Sequence, residues 1–390
     1  MLLPILAASA ATWVTPCAFS TSIEPAPLED ANPAEVAPEV EWLSGQLSEA
    51  LSRARLENKL VFAYFWTNSS QQCQRTWTDA ISSVSGQTVL EEFVCFSAPL
   101  GGKDSAALVQ EFNITTLPTM LILTPYREVE DALLGYHSEG LFTGDLNRIL
   151  NGVDTVSSRR KLAEAAPDDL DLRFSLAAKL DHVGAKEESK SLYDSIIRDD
   201  PRGESIVSAR LQLWNVMRKI SENADDPSDP VTFELEPIYK HMAKVKPDAV
   251  VVEGWDWISE VEGMRGEKTK VMKAMRKAWP HMSSDNQTLA WGLRTASYLW
   301  ENRDGLSASD KSFALEVAER CAELDEEQQQ EDYDGDVEER DLQTLDVLAN
   351  CYLMSGRASD ALRTIELSIE KNGRTPEREQ TLELCRAGNP

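Results

Sequence analysis

The sequence predicts an α/β domain followed by an all-α region built from paired helices. Helical and strand patterns alternate over residues 41–152, which is typical of a central sheet covered by helices. Over residues 153–390 the strand patterns stop, and pairs of amphipathic segments follow one another. A chain of 390 residues has room for two or three domains with separate apolar cores.

The charge balance excludes one class of partner. Aspartate and glutamate number 66 against 39 lysines and arginines, so the formal net charge is −27 at pH 7. A field of this sign repels phosphate backbones, and we therefore expect no nucleic-acid partner. The hydrophobic fraction of 42% is ordinary for a globular protein.

The amino terminus predicts export. Residues 1–22 carry no charge and contain an apolar run, Leu2–Val14, of the length found in signal peptides. We expect a periplasmic or secreted protein; an uncleaved membrane anchor and a disordered or mis-assigned start are the alternatives. Residues 23–40 combine prolines with acidic residues and predict an extended linker. No later run is long and apolar enough to span a bilayer.

The predicted elements of residues 41–152 alternate between helix and strand. The folded unit begins near Trp42, and apolar residues from Leu43 to Ala54 recur at helical spacing, which predicts an amphipathic helix. The continuous apolar run Leu60–Trp66 is typical of a buried strand. The remaining elements are a helix from Cys73 to about Ser83, a helix near Val89–Phe93, a strand at Val94–Phe96, a helix at Ala106–Phe112, a strand at Met120–Leu123, a strand near Ala132–Tyr136 and a helix at Leu141–Leu150.

Four features, in order along the chain, resemble the thioredoxin fold. They are the strand ending at Trp66, the turn and helix start Ser70–Cys73, the loop Thr116–Thr119, and Gly135-Tyr136 before a final helix. Residues 41–152 are therefore similar to thioredoxin-like domains, particularly exported ones that are fused to other modules. The resemblance implies a cis-proline at Pro118.

The turn before the helix that starts at Cys73 departs from the active members of that family. Those members carry Cys-x-x-Cys, and their first thiol attacks disulfides as a thiolate. The resemblance places Ser70 at the position of the attacking cysteine and Cys73 at that of the resolving cysteine. Ser69, Gln71-Gln72 and Tyr64 likewise replace the usual tryptophan, Gly-Pro and buried acid. A hydroxyl cannot take part in thiol-disulfide exchange, so we expect no two-thiol cycle.

Four interpretations of Cys73 are open: a structural residue, a residual reactive thiol, a metal ligand, or the disulfide partner of Cys95. Free cysteine commonly behaves as a small buried hydrophobe, and we favour the structural interpretation. Metal partners are not evident, because no two of the six cysteines form Cys-x-x-Cys and only four histidines occur. We therefore expect no metal and no cofactor.

A peptide groove is the candidate binding site of this domain. In active relatives the backbone before the cis-proline pairs with an extended substrate. The resemblance thus assigns Trp66, Leu117 and Pro118 to a groove that would persist without the chemistry. The alternative, which we favour, is that Pro118 serves only the geometry of a turn.

Two segments of the all-α region resemble tetratricopeptide repeats. Leu170–Pro201 and Leu342–Lys371 each show a helix, a glycine turn and a second helix, and paired helices repeating at about 34 residues are typical of that family. Small residues let the paired helices approach, larger ones fill the space between pairs, and glycine suits the turn. The predicted packing positions are Leu176, Ala177, Gly184, Tyr193, Leu348, Ala349, Gly356 and Ala361.

Less regular pairs separate these two repeats. The resemblance implies a TPR-like solenoid with a concave surface that binds a protein or peptide partner; a spacer is the alternative. The intervening and terminal segments are the pairs Glu204–Ser221 with Thr232–Lys244, Val250–Glu262 with Glu267–Lys277, and Thr288–Trp300 with Ser309–Leu324, an acidic loop at Asp325–Arg340, and a capping helix at Pro376–Arg386.

Basic residues are concentrated locally within this acidic chain. They would attract an acidic partner if they shared one face, whereas solvated outer charges are the commoner arrangement. Trp291 and Trp300 nearby are predicted to fill a core between helices. The basic residues are Lys240, His241, Lys244, Lys246, Lys268, Lys270, Lys273, Arg276 and Lys277.

Two functional hypotheses follow from these features. The first is an exported, redox-inactive thioredoxin-like protein that binds or scaffolds other proteins without enzymatic activity. The second is a thiol-disulfide oxidoreductase of single-cysteine type that uses Cys73.

Overall fold

The computed structural model describes residues 40–101, 103–282, 286–331 and 343–387. The predicted signal peptide, nearly all of the predicted linker, and Cys17 lie outside these residues. Two units divide the chain between Leu211 and Gln212, and each is described by itself. Within the described residues, no helix has the length and apolar character needed to cross a membrane.

A five-stranded mixed sheet forms the centre of the first unit. Its strands lie in the order β1-β3-β2-β4-β5, with β1 and β2 parallel to β3, and β4 antiparallel to both β2 and β5. Long apolar runs in β2, β3 and β4 supply the buried centre of the sheet. The strands are β1 Trp42–Ser44, β2 Leu60–Trp66, β3 Phe93–Pro99, β4 Thr119–Leu123 and β5 Val129–Leu134.

Helices cover both faces of this sheet. They are α1 Leu47–Glu57, α2 Gln71–Thr76, α3 Val84–Leu90, α4 Lys103–Glu111 and α5 Glu139–Leu150, and a π-helical turn at Trp77–Ile81 follows α2. The predicted α/β domain is confirmed.

The sheet separates two apolar cores, because successive residues of a strand point to opposite faces. Val61, Ala63 and Phe65 face one core, which also contains side chains of α1 and α4. Phe62 and Tyr64 face the other core, with side chains of α3 and α5.

Three further helices belong to the same unit as the sheet. They are α6 Val156–Ala165, α7 Leu170–His182 and α8 Lys186–Asp199. Leu176 and Leu180 of α7 lie in the core that contains alternate residues of β2. The boundary predicted between residues 152 and 153 thus falls inside this unit.

A buried carboxylate on β5 joins the sheet to α7. Asp131 is fully buried, and its two oxygens lie 2.6 Å from Lys179 Nζ and 2.9 Å from Arg148 Nη2. His182 Nε2 donates to Ala132 O at 2.8 Å, so α7 also satisfies a carbonyl of this edge strand.

The remaining described residues are mainly helical, which confirms the all-α region. Neighbouring helices pack as pairs, α11 on α12, α13 on α14, and α15 on α16, and α17 packs on α16. Their bounds are α9 Ile206–Glu222, α10 Glu236–Met242, α11 Asp248–Met264, α12 Lys268–Ala278, α13 Asn286–Glu301, α14 Ala308–Glu331, α15 Thr344–Met354, α16 Ala358–Asn372 and α17 Pro376–Ala387.

Two sequence predictions of secondary structure are wrong. Leu43 lies in a strand rather than in the predicted helix, because residues 42–44 pair in parallel with β3 and the helix starts only after Gly45, whose φ is +95°. Asp325 does not begin a loop, because α14 continues to Glu331. The rest of the predicted acidic loop, residues 332–340, lies outside the described residues.

Candidate functional site

The candidate site lies where β2 leads into α2. Ser70 is the N-cap residue of α2, and its Oγ accepts a hydrogen bond from the Cys73 backbone N–H at 3.3 Å. This bond satisfies one of the amide groups left free at a helix start. Ser70 is therefore engaged as a helix cap.

Cys73 lies one turn further along, inside the protein. Cys73 is only 2% exposed. The Tyr64 hydroxyl donates a hydrogen bond to the Cys73 carbonyl oxygen at 2.9 Å. Burial raises the pKa of Tyr64, so this phenol stays protonated and serves as a donor. Tyr64 thus anchors the helix backbone and offers no carboxylate for proton transfer.

The cis-proline loop has the predicted form. The peptide bond between Leu117 and Pro118 is cis, and Pro118 O accepts a hydrogen bond from Gly135 N–H at 2.8 Å. Phe65 of β2 pairs with Thr119 directly after this loop. The end of β2 and the proline loop therefore meet at one edge of the site.

The three predicted groove residues do not share one face of the sheet. Trp66 packs against the core that contains Tyr64, whereas Leu117 packs against the core on the other face. Pro118 itself is buried. The structure therefore brings Trp66 and Pro118 to the same strand ends and directs Leu117 away from Trp66.

Aromatic side chains line the site on the Tyr64 face. The rings of Tyr64 and Trp66 stack, with centroids 6.2 Å apart, and Trp66 Nε1 donates to Ser97 Oγ at 2.9 Å. Trp77 contacts both Tyr64 and Trp42, with centroids 6.0 Å and 5.4 Å away. Since Trp77 is 39% exposed, the cluster presents an aromatic surface beside α2.

The loop after β5, which the sequence did not assign to the site, contacts α2 and the π-helical turn that follows it. The Tyr136 hydroxyl donates to Asp79 Oδ2 at 3.0 Å, and the Arg75 guanidinium lies 4.5 Å from the Tyr136 ring centroid. His137 N–H reaches Thr76 Oγ1 at 3.4 Å. The available signal was the Gly135-Tyr136 pair, which marks the loop but not its partners.

All five described cysteines are free and buried. Cys73 therefore does not pair with Cys95, whose Sγ donates to Leu90 O at 3.7 Å. Burial raises the pKa values of Cys95, Cys321 and Cys351 to about 12. These three thiols carry little thiolate near neutral pH, so burial suppresses their nucleophilicity.

The predicted repeat positions lie in helix pairs, mostly as buried residues. Ala177 is fully buried, and Ser189 Oγ donates to its carbonyl at 2.7 Å across the α7–α8 pair. Tyr193 is half-buried, and its ring lies 5.7 Å from that of Phe174. Gly184 has a φ of +86° and turns the chain between these helices.

The corresponding positions of the second unit are arranged similarly. Leu348, Ala349 and Ala361 are buried, the latter two in one core shared by α15, α16 and α17. Gly356 has a φ of +77° at the turn between α15 and α16. Trp291 is buried, with its ring stacked on that of Trp279 at 6.1 Å.

The strand order, the cis-proline loop and the capped helix after β2 define a thioredoxin-like domain, which is followed by an all-α region. No protein-family profile and no curated protein matches the sequence. A solution structure of a thioredoxin from Thermus thermophilus is similar over 28% of this chain and 87% of its own, with 23% identity and a TM-score of 0.27. A DsbH oxidoreductase is similar over 33% of this chain and 95% of its own, with 13% identity and a TM-score of 0.28. At these levels neither structure bears on the activity of this chain.

Proposed function

We propose that this protein is an exported, redox-inactive thioredoxin-like protein whose all-α region, an array similar to tetratricopeptide repeats, binds a protein partner. The observation that carries the proposal is the geometry at the start of α2. Ser70 Oγ caps the helix in the position of the attacking thiol, and Cys73 is 2% exposed beneath it. Thiol-disulfide exchange needs a thiol that the substrate disulfide can reach, and this arrangement does not provide one.

The binding role rests on the paired helices. Small buried residues let α7 approach α8 and α15 approach α16, and serine hydroxyls bridge both pairs: Ser189 Oγ donates to Ala177 O, and Ser368 Oγ to Asp346 Oδ1 at 2.6 Å. Repeated pairs of this kind present extended surfaces that bind peptides and proteins. No step of catalysis is required of them.

An insulin-reduction assay with dithiothreitol tests the redox part. We expect the full chain and its Cys73→Ala variant to give the rate of dithiothreitol alone. Cys95→Ala is the matched control for removing a buried thiol, because Cys95 is 1% exposed and lies in the sheet core. A rate that depends on Cys73 but not on Cys95 would establish the single-cysteine oxidoreductase instead.

Affinity capture of the full chain, read by mass spectrometry, tests the binding part. We expect partners that remain bound in dithiothreitol and that the Cys73→Ala variant also retains. A partner released only by reductant, through a disulfide to Cys73, would contradict the proposal.

The export part rests on residues 1–22, and recovery of the mature chain only from the cytosol would refute it.

A further inference from the structure

A surface cavity of about 570 Å³ lies on the second unit. One face of α12 forms one wall, and the loop between α13 and α14 forms the other. Lys268, Met272, Lys273, Arg276 and Lys277 line the first wall. Their spacing follows the period of an α-helix, so a single face of α12 points into the cavity.

Three lysines of this wall have no ion-pair partner in the described part of the chain. Lys268, Lys273 and Lys277 are exposed and make no salt bridge there. The other basic residues nearby are neutralised: Arg276 pairs with Asp310 at 3.1 Å, and Lys270 pairs with Glu262 at 3.5 Å.

The opposite wall adds little negative charge. Asp310 is engaged by Arg276, so Asp304 is the lining carboxylate left to oppose the three lysines. His281 also lines the cavity, and its Nδ1 lies 2.8 Å from Asp248 Oδ1. The cavity therefore carries a local positive charge on a chain whose formal net charge is −27.

The cavity also has an apolar component. Met272 is buried and Leu306 of the opposite loop is half-buried; both line the cavity and belong to one apolar cluster, which we call its apolar floor. A ligand that matches this surface carries carboxylates together with an apolar group. A peptide with acidic residues around an aliphatic side chain has both.

We propose that this cavity binds an acidic peptide segment of a partner protein, with Lys268, Lys273 and Lys277 facing its carboxylates. The proposal rests on the partner-binding function stated above and assigns the chemistry of the partner. Charge complementarity gives orientation and association rate, and the apolar floor adds burial that does not depend on salt. The negative net charge of the chain disfavours a nucleic-acid ligand. Inorganic phosphate has no apolar group that could pack on the apolar floor.

Fluorescence anisotropy with the full chain tests the proposal. The probe is a fluorescein-labelled peptide of alternating glutamate and aspartate around one leucine, and the comparison peptide replaces every acid by its amide. We expect the acidic peptide alone to bind, with affinity falling as ionic strength rises. The Lys273→Glu/Lys277→Glu variant should bind at least about tenfold more weakly.

A second double variant separates the cavity from the overall field. Lys219→Glu/Lys371→Glu makes the same change of net charge, and both of its lysines are exposed in the last turn of a helix, as Lys277 is. We expect it to bind the acidic peptide like the unmodified chain. Circular dichroism spectra should be the same for the unmodified chain and the two double variants. A neutral variant, Lys273→Gln/Lys277→Gln, measures how much binding weakens when the two positive charges are removed but not reversed.

Several results would overturn the proposal. These are no binding of the acidic peptide, equal weakening by the two double variants, or binding of inorganic phosphate or duplex DNA at the same lysines without binding of the peptide. Any of them would refute the assignment of the cavity alone, because the insulin assay and the capture experiment compare chains that all keep these lysines and do not depend on where the partner binds.

Discussion

Asp131 shows how a charged residue can stand in the middle of a buried strand. Its carboxylate is fully buried, and an isolated charge in that environment would cost several kcal/mol. Lys179 and Arg148 both reach it, at 2.6 Å and 2.9 Å, and its Oδ1 also accepts from Ala132 N–H at 2.8 Å. The contact to Lys179 fixes α7 against the edge of the sheet.

Removing the two partners of this pair should have unequal effects. Asp131→Asn leaves the Lys179 ammonium, which is 7% exposed, without its counter-charge, and we expect a loss of about 3 kcal/mol in the free energy of unfolding. Lys179→Met leaves Asp131 with Arg148, so we expect a smaller loss, about 1 kcal/mol. Urea unfolding of both variants measures the two losses.

The double variant Asp131→Asn/Lys179→Met completes the cycle. It removes both charges, and we expect it to be more stable than Asp131→Asn alone, which is the sign of a coupled pair. Losses that simply add would show that the ion pair contributes nothing. Hydrogen exchange of β5 and α7 locates the effect, since both elements should lose protection together.

Sequence reasoning reached some of these residues and missed others for a physical reason. The Ser70, Cys73 and Pro118 positions follow a local pattern along the chain, and the structure shows the capped helix and the cis-proline there. Asp131 and Lys179 are 48 residues apart, and a lone acid in a strand pattern does not identify its counter-ion. Only the tertiary structure supplies that pairing.

At the scale of elements, long apolar runs were predictable and short ones were not. β2 occupies the predicted Leu60–Trp66, because seven consecutive apolar residues, five of them buried, leave little alternative. β1 has only three residues, and its strand character comes from pairing with β3, so the helical spacing of Leu43 with Leu47 was misleading. The same limit applies to α14, whose acidic end reads locally as a loop.

The two predicted turn glycines should respond differently to substitution. Both have positive φ, +86° at Gly184 and +77° at Gly356, so alanine at either site should cost about 1 kcal/mol in backbone strain. A Cβ at Gly184 would lie 3.1 Å from Phe112 O, whereas a Cβ at Gly356 would meet nothing within 4 Å. We therefore expect Gly184→Ala to destabilise its unit by about 2 kcal/mol, more than Gly356→Ala does.

Asparagine separates the two causes, because it tolerates the left-handed region better than alanine does. Gly356→Asn should recover most of the stability lost in Gly356→Ala, while Gly184→Asn should recover little, since its Cβ still meets the Phe112 carbonyl. Thermal unfolding measures all four variants. Equal losses of stability at the two sites would show that a Cβ at Gly184 does not clash with the Phe112 carbonyl after α4.

At the scale of the whole molecule, the change from α/β to all-α sequence does not mark the division between compact units. Asn151 and Gly152 form a turn that resembles a boundary, and local composition cannot show which core the next helices enter. In the structure, α6 and α7 complete the core on one face of the sheet. The first unit therefore extends about 60 residues beyond the predicted end of its sheet domain.

Two fragments test this dependence on the helices after the sheet. A fragment of residues 40–204 keeps α6, α7 and α8, whereas a fragment of residues 40–152 lacks them. The shorter one loses the buried side chains of Val156, Leu176, Leu180 and Val183, each contributing about 1.5–3 kcal/mol, from a domain whose net stability is about 5–15 kcal/mol. It also leaves Asp131 without Lys179. We expect the longer fragment to unfold cooperatively in urea and the shorter one to be largely unfolded or aggregated in buffer, as read by circular dichroism and proton–nitrogen NMR spectra.

The longer fragment carrying Lys179→Met distinguishes the two losses within that experiment. If the apolar contacts of α6 and α7 dominate, this variant should remain folded with a modestly lower urea midpoint, because four large side chains outweigh one partner of a carboxylate that keeps Arg148. If the ion pair dominates, it should approach the behaviour of the shorter fragment. A shorter fragment that unfolds at the same urea concentration as the longer one would instead show that the sheet domain is complete at residue 152, and that its contacts with α7 add no stability.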